Sequence, residues 1–352
     1  MVGQRFVTLL ADHPWFQVVT VAASQRSAGR SYAEAVAGRW SFAQAIPESI
    51  ASLIVRDANQ VESVAAEVDF IFCAIDMDKE ATKRLEESYA RAETPVVSNN
   101  SAHRGTGDVP MVIPEINPEH LDVIPAQRRR LGSQRGFIVV KPNCSIQSYV
   151  PALHALRHYQ PIRVVACTYQ AISGAGKTFA TWPEMIDNVI PFIKGEEEKS
   201  EQEPLKIWGR VEAGQIVGAG SPKITTQCIR VPVSDGHLAA VFVDFAEKPS
   251  AEEMIEGWAA YQGRPQQLQL PSAPRQFIHY FTEPDRPQTQ SERELEQGMA
   301  ISVGRLRPDH LFDYRFVCLS HNTLRGAAGG AVLTAELLAA EGYLDVRGHS
   351  ST

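Results

Sequence analysis

Short apolar runs alternate with amphipathic stretches through the first part of the chain. The runs at 17–22, 68–74, 95–98 and 137–140 have the length and the β-branched content of buried strands. Charges gathered on one side of 78–92 predict a helix between two of them. Near-continuous apolar strands separated by helices are typical of a parallel sheet covered on both faces. We therefore predict an α/β domain of the doubly wound (Rossmann-type), dinucleotide-binding class.

In the second half, apolar and polar residues alternate over longer runs, which predicts half-buried strands. These strands are predicted at 163–171, 224–233, 238–246, 300–306 and 312–319. The last two flank Pro308 and Asp309 and should form a hairpin. Helices are expected at 145–158 and over most of 184–208, and an exposed loop at 284–297. The pattern favours an α+β domain with a mostly antiparallel sheet.

This change of pattern divides the chain into two domains. The first spans residues 1–143 and is completed by an Ala/Leu-rich C-terminal helix within 322–345, and the second spans 144–321. The start is unusual, because residues 1–10 already read as a helix. A doubly wound domain normally opens with a strand and a glycine-rich turn that feeds the first helix. We expect that this strand and turn are missing, through a misplaced start codon or a truncation.

Composition and charge narrow the class of protein. The chain has 352 residues, 44% of them hydrophobic and 21% charged, which suits a soluble protein of about two domains. The net charge of −7 argues against nucleic acid or an anionic membrane as the main partner. No apolar run reaches the roughly 18 residues that a membrane span needs, and no signal-peptide layout opens the chain. We expect a cytoplasmic protein.

One cysteine stands apart from the other four. The five are widely spaced and form no CxxC pair, so neither disulfides nor a metal site is expected: Cys73, Cys144, Cys167, Cys228 and Cys318. Cys144 follows a predicted strand and precedes a predicted helix, for which Asn143 is a good N-cap. The positive end of a helix lowers the pKa of a thiol and favours the thiolate. On this evidence a reactive and an inert buried thiol are about equally well supported.

Two further residues could serve such a thiol. His237 lies in a predicted turn between strands, where a histidine can act as a general base, although alone it reads as an ordinary surface histidine. Arg230, at the far end of the preceding strand, could hold a carboxylate or form a structural ion pair. The run 173–178 lacks the upstream glycine of a nucleotide-triphosphate loop and predicts a glycine turn instead. The acidic run 196–199 reads as a solvated helix turn.

Three motifs, in this order and at these separations, resemble the aspartate-semialdehyde dehydrogenase family. They are Lys141-Pro142-Asn143-Cys144-Ser145, Ser173-Gly174-Ala175-Gly176 and the run from Arg230 to His237. Further similar runs lie at 24–29, 98–104, 110–118 and 322–336, so the resemblance extends over essentially the whole chain.

The resemblance implies a reaction and a set of catalytic roles. In the family, NADPH reduces L-aspartyl 4-phosphate to L-aspartate 4-semialdehyde with release of phosphate, on the route to lysine, threonine and methionine. Cys144 would be the nucleophile that forms a thioester, His237 the acid and base, and Gln170 the amide that orients the intermediate. A thioester divides one difficult acyl transfer into two easier steps.

The resemblance also implies binding residues for the substrate and for NADP. Arg230 would bind the α-carboxylate, Glu196 the ammonium, and Lys199 and Arg104 the phosphate, with Asn143 beside the nucleophile. The residues implied for NADP are Val2, Gly3, Ser24, Arg26, Ser27, Ser173, Gly174 and Asn322. Arg26 after the second strand, with no acidic residue there, favours NADP over NAD. A chain without the first strand would bind NADP weakly.

Other functions remain open at this level. The family likeness implies a homodimer or homotetramer built through the sheet of the second domain. A malonyl-CoA reductase or an N-acetyl-glutamyl-phosphate reductase would use similar chemistry, but a substrate without an α-ammonium has no use for Glu196. A truncated, non-catalytic binding protein is the alternative of another class.

Overall fold

The computed structural model describes residues 1–345. The elements of the first half are, in chain order, α1 (Val2–Leu10), β1 (Val21–Ala23), α2 (Tyr32–Val36), α3 (Glu48–Ala51), β2 (Val55–Asp57), α4 (Val61–Ala65), β3 (Ile71–Cys73), α5 (Lys79–Arg91), β4 (Val96–Ser98), α6 (Ile124–Leu131) and β5 (Ile138–Val140). The predictions for 68–74, 78–92, 95–98 and 137–140 are confirmed, whereas the strand predicted at 17–22 is confined to β1.

The strands of this half are parallel, as predicted, and form two separate sheets. β1 pairs with β2, while β3, β4 and β5 form a three-stranded sheet in that order. A cavity of about 1390 Å³ is lined by β1, by β3 and by α1, and so lies where the two sheets approach each other. The carboxyl ends of β3, β4 and β5 lie at one edge, and the chain that leaves β5 carries Cys144.

The last helix, α13 (Ala328–Ala340), packs into the core of this first half. It is apolar except for Thr334 and Glu336, and residues 328–338 are all buried, as expected of a helix enclosed by protein. Its neighbours in the core include Phe6 and Leu10 of α1 and Val139 of β5. A Cβ on Gly330 would lie 2.5 Å from the backbone carbonyl oxygen of Arg325 and 2.7 Å from Cε of Lys141, so glycine is needed where α13 approaches the end of β5.

The second half is built around one six-stranded sheet. Its elements are α7 (Val150–His154), β6 (Pro161–Gln170), α8 (Glu196–Ile207), β7 (Arg210–Glu212), β8 (Gln215–Val217), β9 (Lys223–Arg230), β10 (His237–Phe245), α9 (Ala251–Ala260), α10 (Arg264–Gln267), β11 (Ile278–Phe281), α11 (Thr289–Glu292), α12 (Leu295–Gly298), β12 (Ile301–Pro308) and β13 (Tyr314–Ser320). The strand order is β11-β12-β13-β10-β6-β9, with β7 and β8 forming a separate hairpin.

The mostly antiparallel sheet and the β12–β13 hairpin are confirmed. The pairs β12–β13, β13–β10 and β10–β6 are antiparallel, and β11–β12 and β6–β9 are parallel. The parallel pairing of β6 with β9 brings their last residues, Gln170 and Arg230, side by side. His237 opens β10, the strand on the other side of β6. The sheet therefore delivers three predicted site residues to one edge.

Three helix and loop predictions are wrong in part. The helix expected at 145–158 is broken into a 3-10 turn, α7 and a second 3-10 turn, because Pro151 has no N–H for a continuous helix and sits near the start of α7 instead. Within 184–208 the α-helix begins only after Gly195, whose φ of +68° precedes α8. The region 284–297 contains the short helix α11 rather than a wholly exposed loop, and Glu292 is buried there.

No helix within residues 1–345 is long and apolar enough to cross a membrane.

Candidate active site

Cys144 and His237 face each other across the junction of the two halves. The Sγ atom of Cys144 lies 3.4 Å from Nε2 of His237, although 93 residues separate them in sequence. Cys144 follows β5 and His237 opens β10, so each comes from a different sheet. This is the reach expected of a nucleophile and its acid or base.

The local structure at Cys144 differs from the prediction. Cys144 itself caps a three-residue 3-10 turn, Ser145–Gln147, where we predicted an α-helix with Asn143 as N-cap. The Asn143 side chain still acts as a cap, because its Oδ1 accepts a hydrogen bond from the backbone N–H of Ser145 at 3.3 Å.

The predicted lowering of the thiol pKa is also wrong for this state of the protein. Burial raises the pKa of Cys144 to about 11, and the Glu196 carboxylate adds to the rise. The positive charges of Lys141, Arg104 and Arg230 act in the opposite direction. A single short turn has too small a dipole to offset the burial.

His237 is oriented by the backbone. Its ring is fully buried, and Nδ1 accepts a hydrogen bond from the N–H of Ala171 at 3.1 Å. A neutral ring that accepts at Nδ1 carries its proton on Nε2, so the N–H points at Cys144. Burial lowers the pKa of His237 to about 3, and the nearby Arg230 contributes to that shift. The ring is therefore neutral at physiological pH.

Arg230 and Gly174 complete the immediate surroundings. Arg230 is buried, and its Nη1 donates to the carbonyl oxygen of Ala171 at 2.6 Å. Burial lowers the pKa of Arg230. A Cβ on Gly174 would lie 2.9 Å from Nη1 of Arg230 and 3.0 Å from Nε2 of His237. Only glycine leaves room for both side chains there, which is the close approach expected from the glycine turn.

One face of α8 presents acidic residues to the cysteine loop. Glu196, in the first turn, accepts from Nδ2 of Asn143 at 2.8 Å and lies 3.5 Å from Nζ of Lys199. Glu196 is buried, while Lys199 is about 40% exposed in its side chain. The expectation of a fully solvated helix turn at 196–199 is wrong for Glu196, because the start of α8 docks on the loop that carries Cys144.

Arg104 reaches the same region from the first half of the chain. Its Nη1 pairs with Oε1 of Glu203 at 3.0 Å, and its Nη2 donates to the Asn99 carbonyl at 3.2 Å. The buried Nε of Arg104 has no hydrogen-bond partner among the described residues. Glu203 was not singled out from the sequence. Its spacing from Glu196 and Ser200, seven and three residues, places all three on one face of α8 and is the pattern that could have identified it.

Gln170 is buried at the end of β6, where its Nε2 donates to Oγ1 of Thr168 at 3.2 Å. Asn322 links two other predicted residues: its Nδ2 donates to Oγ of Ser173 at 2.8 Å and its Oδ1 accepts from the N–H of Gly236 at 2.8 Å. Asn322 and Ser173 therefore lie beside His237, the residue after Gly236.

Three of the remaining predicted cofactor residues line the large cavity of the first half. Gly3, Ser24 and Ser27 line it together with Gly176 and Thr178 from the second half. No added Cβ at Gly3 would meet another atom within 4 Å, so the start of α1 is open to a ligand at this position. Arg26 is exposed in the turn after β1. The open glycine, the hydroxyls and the arginine suit a phosphorylated dinucleotide. Val2, Arg26, Ser173, Gly174 and Asn322 do not line this cavity.

Comparisons with known proteins place the whole chain among its relatives. The family model described as "Semialdehyde dehydrogenase, NAD binding domain" matches residues 1–124, and "Semialdehyde dehydrogenase, dimerisation domain" matches 152–325. The chain is 41% identical to an aspartate-semialdehyde dehydrogenase of Aspergillus fumigatus, with 97% of this chain and 95% of the relative covered. It is 41% identical to one of Archaeoglobus fulgidus, with 97% and 96% covered.

Among solved structures, an aspartate-semialdehyde dehydrogenase of Candida albicans with NADP has a TM-score of 0.85 at 36% identity, covering 97% of this chain and 96% of that one. The NAD-binding model matches from residue 1, so the expectation of a missing first strand and glycine-rich turn finds no support in these comparisons. Both the matched models and the relatives identify this chain as a member of the aspartate-semialdehyde dehydrogenase family.

Proposed function

We propose that this protein is an NADP-dependent aspartate-semialdehyde dehydrogenase that reduces L-aspartyl 4-phosphate to L-aspartate 4-semialdehyde and releases phosphate. The observation that carries the proposal is the 3.4 Å approach of Cys144 Sγ to His237 Nε2, with Arg230 and Glu196 at the same site. A thiol, an acid, a cation and an anion in one pocket suit a small zwitterionic acyl phosphate.

Cys144 attacks the acyl carbon, a C–S bond forms, the bond to the phosphate oxygen breaks, and inorganic phosphate leaves with the proton of the thiol. Arg104 supports the departing phosphate, because its buried Nε has no partner among residues 1–345 and is left to meet a ligand. Lys199, partly exposed beside Glu196, supplies a second positive charge. Positive groups at the leaving oxygen stabilise the charge that develops there.

His237 contributes as a neutral acid. The proton on Nε2 points at the sulfur, so the ring donates to the thiolate or to the acyl oxygen when charge builds up on either. When bound, NADPH would be held by Ser24, Arg26, Ser27 and Asn322 and would supply the hydride that reduces the thioester to the aldehyde, with cleavage of the C–S bond and release of Cys144. Gln170 and Ser173 then hold the acyl group and the nicotinamide side of the pocket in place.

Glu196 selects the substrate and helps to activate the thiol. Its carboxylate raises the pKa of Cys144 in the free enzyme. Pairing with the substrate ammonium offsets that charge, so the pKa of the thiol falls when the correct substrate binds. A malonyl-CoA or N-acetylated substrate has no ammonium to offer, and Glu196 therefore favours aspartyl phosphate.

The test is phosphate-dependent reduction of NADP with aspartate semialdehyde, beside NADPH oxidation with aspartyl phosphate and with malonyl-CoA. We expect turnover with aspartate semialdehyde and aspartyl phosphate and none with malonyl-CoA. Cys144→Ala should abolish turnover while NADP binding persists. Faster turnover with malonyl-CoA, or turnover by Cys144→Ala, would overturn the proposal.

We also propose a homodimer formed through the second half, with a homotetramer as the next assembly. The family model that matches residues 152–325 is described as a dimerisation domain. Ile186, Val189 and Phe192 are exposed in the segment before α8, which suits an apolar contact between subunits. Sedimentation should give a dimer or a tetramer rather than a monomer.

The proposed location is the cytoplasm, whose reducing conditions keep the Cys144 thiol free.

A further inference from the structure

The Pro142–Asn143 peptide group, one residue before the nucleophile, forms hydrogen bonds at both ends with buried charged side chains. The carbonyl oxygen of Pro142 accepts a hydrogen bond from Nζ of Lys141 at 3.2 Å. The N–H of Asn143 donates to Oε2 of Glu203 at 2.6 Å. Lys141 and Glu203 are 3% and 7% exposed, so both contacts are shielded from water.

Each of these side chains also holds a second segment of the site. Lys141 donates to the carbonyl of Gly326, in the loop between Asn322 and α13. Glu203 pairs through its other oxygen with Nη1 of Arg104 at 3.0 Å. The residues that approach the cysteine loop from three parts of the chain are thus joined through one peptide group.

Burying two charges without a role would be unfavourable. Removing an ionised side chain from water carries a large desolvation penalty unless hydrogen bonds and an opposite charge compensate it. Burial lowers the pKa of Lys141 to about 7, while the negative charges of Cys144 and Glu203 act to raise it. The favourable partner of a charged Lys141 is therefore a Cys144 thiolate, and charge-assisted bonds to the peptide are stronger than neutral ones.

We propose that Lys141 and Glu203 are positioning residues that clamp the Pro142–Asn143 peptide and thereby set the place of Cys144 relative to His237 and Arg104. The clamp acts through backbone and not through contact with substrate. The effect of the clamp on the reactivity of the Cys144 thiol follows from these contacts alone. Only its effect on phosphate binding rests on the function proposed above.

The test uses the full-length protein and reads the thiol directly. Wild type, Lys141→Met and Glu203→Gln are treated with iodoacetamide from about pH 6 to about pH 10, and alkylation of Cys144 is followed by peptide mass spectrometry. Lys141→Met should slow alkylation about tenfold at neutral pH and shift the pH profile upward, because the thiolate loses a buried cation that lowers the pKa of Cys144. Glu203→Gln should also change the pH profile of alkylation, because the weakened hydrogen bond to the Asn143 N–H no longer holds the cysteine loop in place.

A matched control carries the same change of charge on the same helix. Glu198 is exposed on α8, and Glu198→Gln should retain the wild-type profile. In the dehydrogenase assay, Glu203→Gln should lower kcat and raise KM for phosphate several-fold, since Arg104 loses its partner. Glu203→Asp should restore part of both, because it keeps the charge at shorter reach.

Two outcomes would overturn the proposal. One is alkylation profiles for the Lys141 and Glu203 variants that match Glu198→Gln. The other is a loss of activity that follows only a fall in Tm, with alkylation of the folded fraction unchanged. If the wild type fails to use aspartyl phosphate, the proposed function is wrong, yet the alkylation profiles still decide whether the clamp exists.

Discussion

At the scale of single residues, the direction of one hydrogen bond decides what His237 can do. Because Nδ1 accepts from the Ala171 N–H, the neutral ring can only donate from Nε2 to Cys144. The sequence suggested a general base in a turn. The structure instead places a buried, neutral donor at the start of β10, which favours the role of an acid toward the acyl oxygen.

Gly174→Ala should lower kcat about 10- to 100-fold with little change in stability. The added Cβ would press on Arg230 Nη1 and on His237 Nε2, and a displacement of about 1 Å in a catalytic group has effects of this size. Steady-state kinetics measure the change. Gly220→Ala is the control, because a Cβ there meets nothing within 4 Å. Wild-type kcat in Gly174→Ala would contradict the crowded geometry.

Arg230→Lys should raise KM for aspartate semialdehyde about 100-fold and leave KM for NADP unchanged. One nitrogen of Arg230 is already used by the Ala171 carbonyl, and a lysine cannot hold that contact and a carboxylate together. The loss of one charge-assisted bond is about 2–3 kcal/mol. Arg163→Lys, on the exposed side of the sheet, is the control. An unchanged KM would show that the α-carboxylate binds elsewhere.

At the scale of elements, α8 holds the nucleophile loop in place. Its inward face carries Glu196, Ser200 and Glu203, and the loop from Asn143 to Ser145 contacts each of them. Lys206, farther along, donates to three backbone carbonyls of the loop that contains Arg104. The helix therefore positions both the nucleophile and the candidate phosphate ligand.

Ser200→Ala should lower the free energy of unfolding by about 1–2 kcal/mol. The Oγ atoms of Ser200 and Ser145 lie 2.9 Å apart and both residues are fully buried, so removing the Ser200 hydroxyl leaves that of Ser145 without its partner. The double variant Ser145→Ala with Ser200→Ala should lose less than the sum of the single variants. Urea denaturation measures all three, and strictly additive losses would indicate that the two hydroxyls do not interact.

At the scale of the whole molecule, buried polar groups join the two halves of the chain. Asn143, at the end of the first half, donates from Nδ2 to Oε1 of Glu196 in α8 at 2.8 Å, and both side chains are buried. Cys144 sits at this junction, with His237 and Arg230 coming from the second half and Arg104 from the first. Stability and the geometry of the site therefore depend on the same contacts.

Stability should fall in mild acid, and His154 should contribute to the fall. Burial lowers the pKa of His154 to about 4, whereas an unfolded histidine titrates near 6.5. Between these values the unfolded chain binds more protons, so stability decreases as pH falls from about 6.5 toward about 4.

The expected size follows from the same shift. Between pH 7 and pH 5 the wild type should lose about 2 kcal/mol through His154 alone, and His154→Gln should lose correspondingly less. The lowered pKa of His237 should also reduce stability in acid, but His237 is a proposed catalytic residue and is therefore not varied in this test. Chemical denaturation at both pH values measures the free energy of unfolding. Equal losses of stability in the wild type and the variant would show that His154 does not stay uncharged in the folded protein.

The sequence by itself determined the strands and helices in which apolar residues recur at a regular spacing, such as β3, α5, β4 and the β12–β13 hairpin. The pattern of buried positions in such an element can be read from its own residues. It also pointed to Cys144, His237 and Arg230 through ordered motifs, whereas Glu196 was implied only by the family resemblance. The break at Pro151 and the start of α8 at Gly195 had local signals that a purely periodic reading passed over.

Only the tertiary structure decided how these residues act. The neutral state of His237, the raised pKa of Cys144 and the roles of Glu203 and Lys141 depend on contacts between residues far apart in sequence, such as Glu203 with Asn143, 60 residues apart, and Lys141 with Gly326, 185 residues apart. The burial of a side chain and the charges near it depend on which segments pack together in the fold. No single motif determines that packing, because it depends on residues from the whole chain.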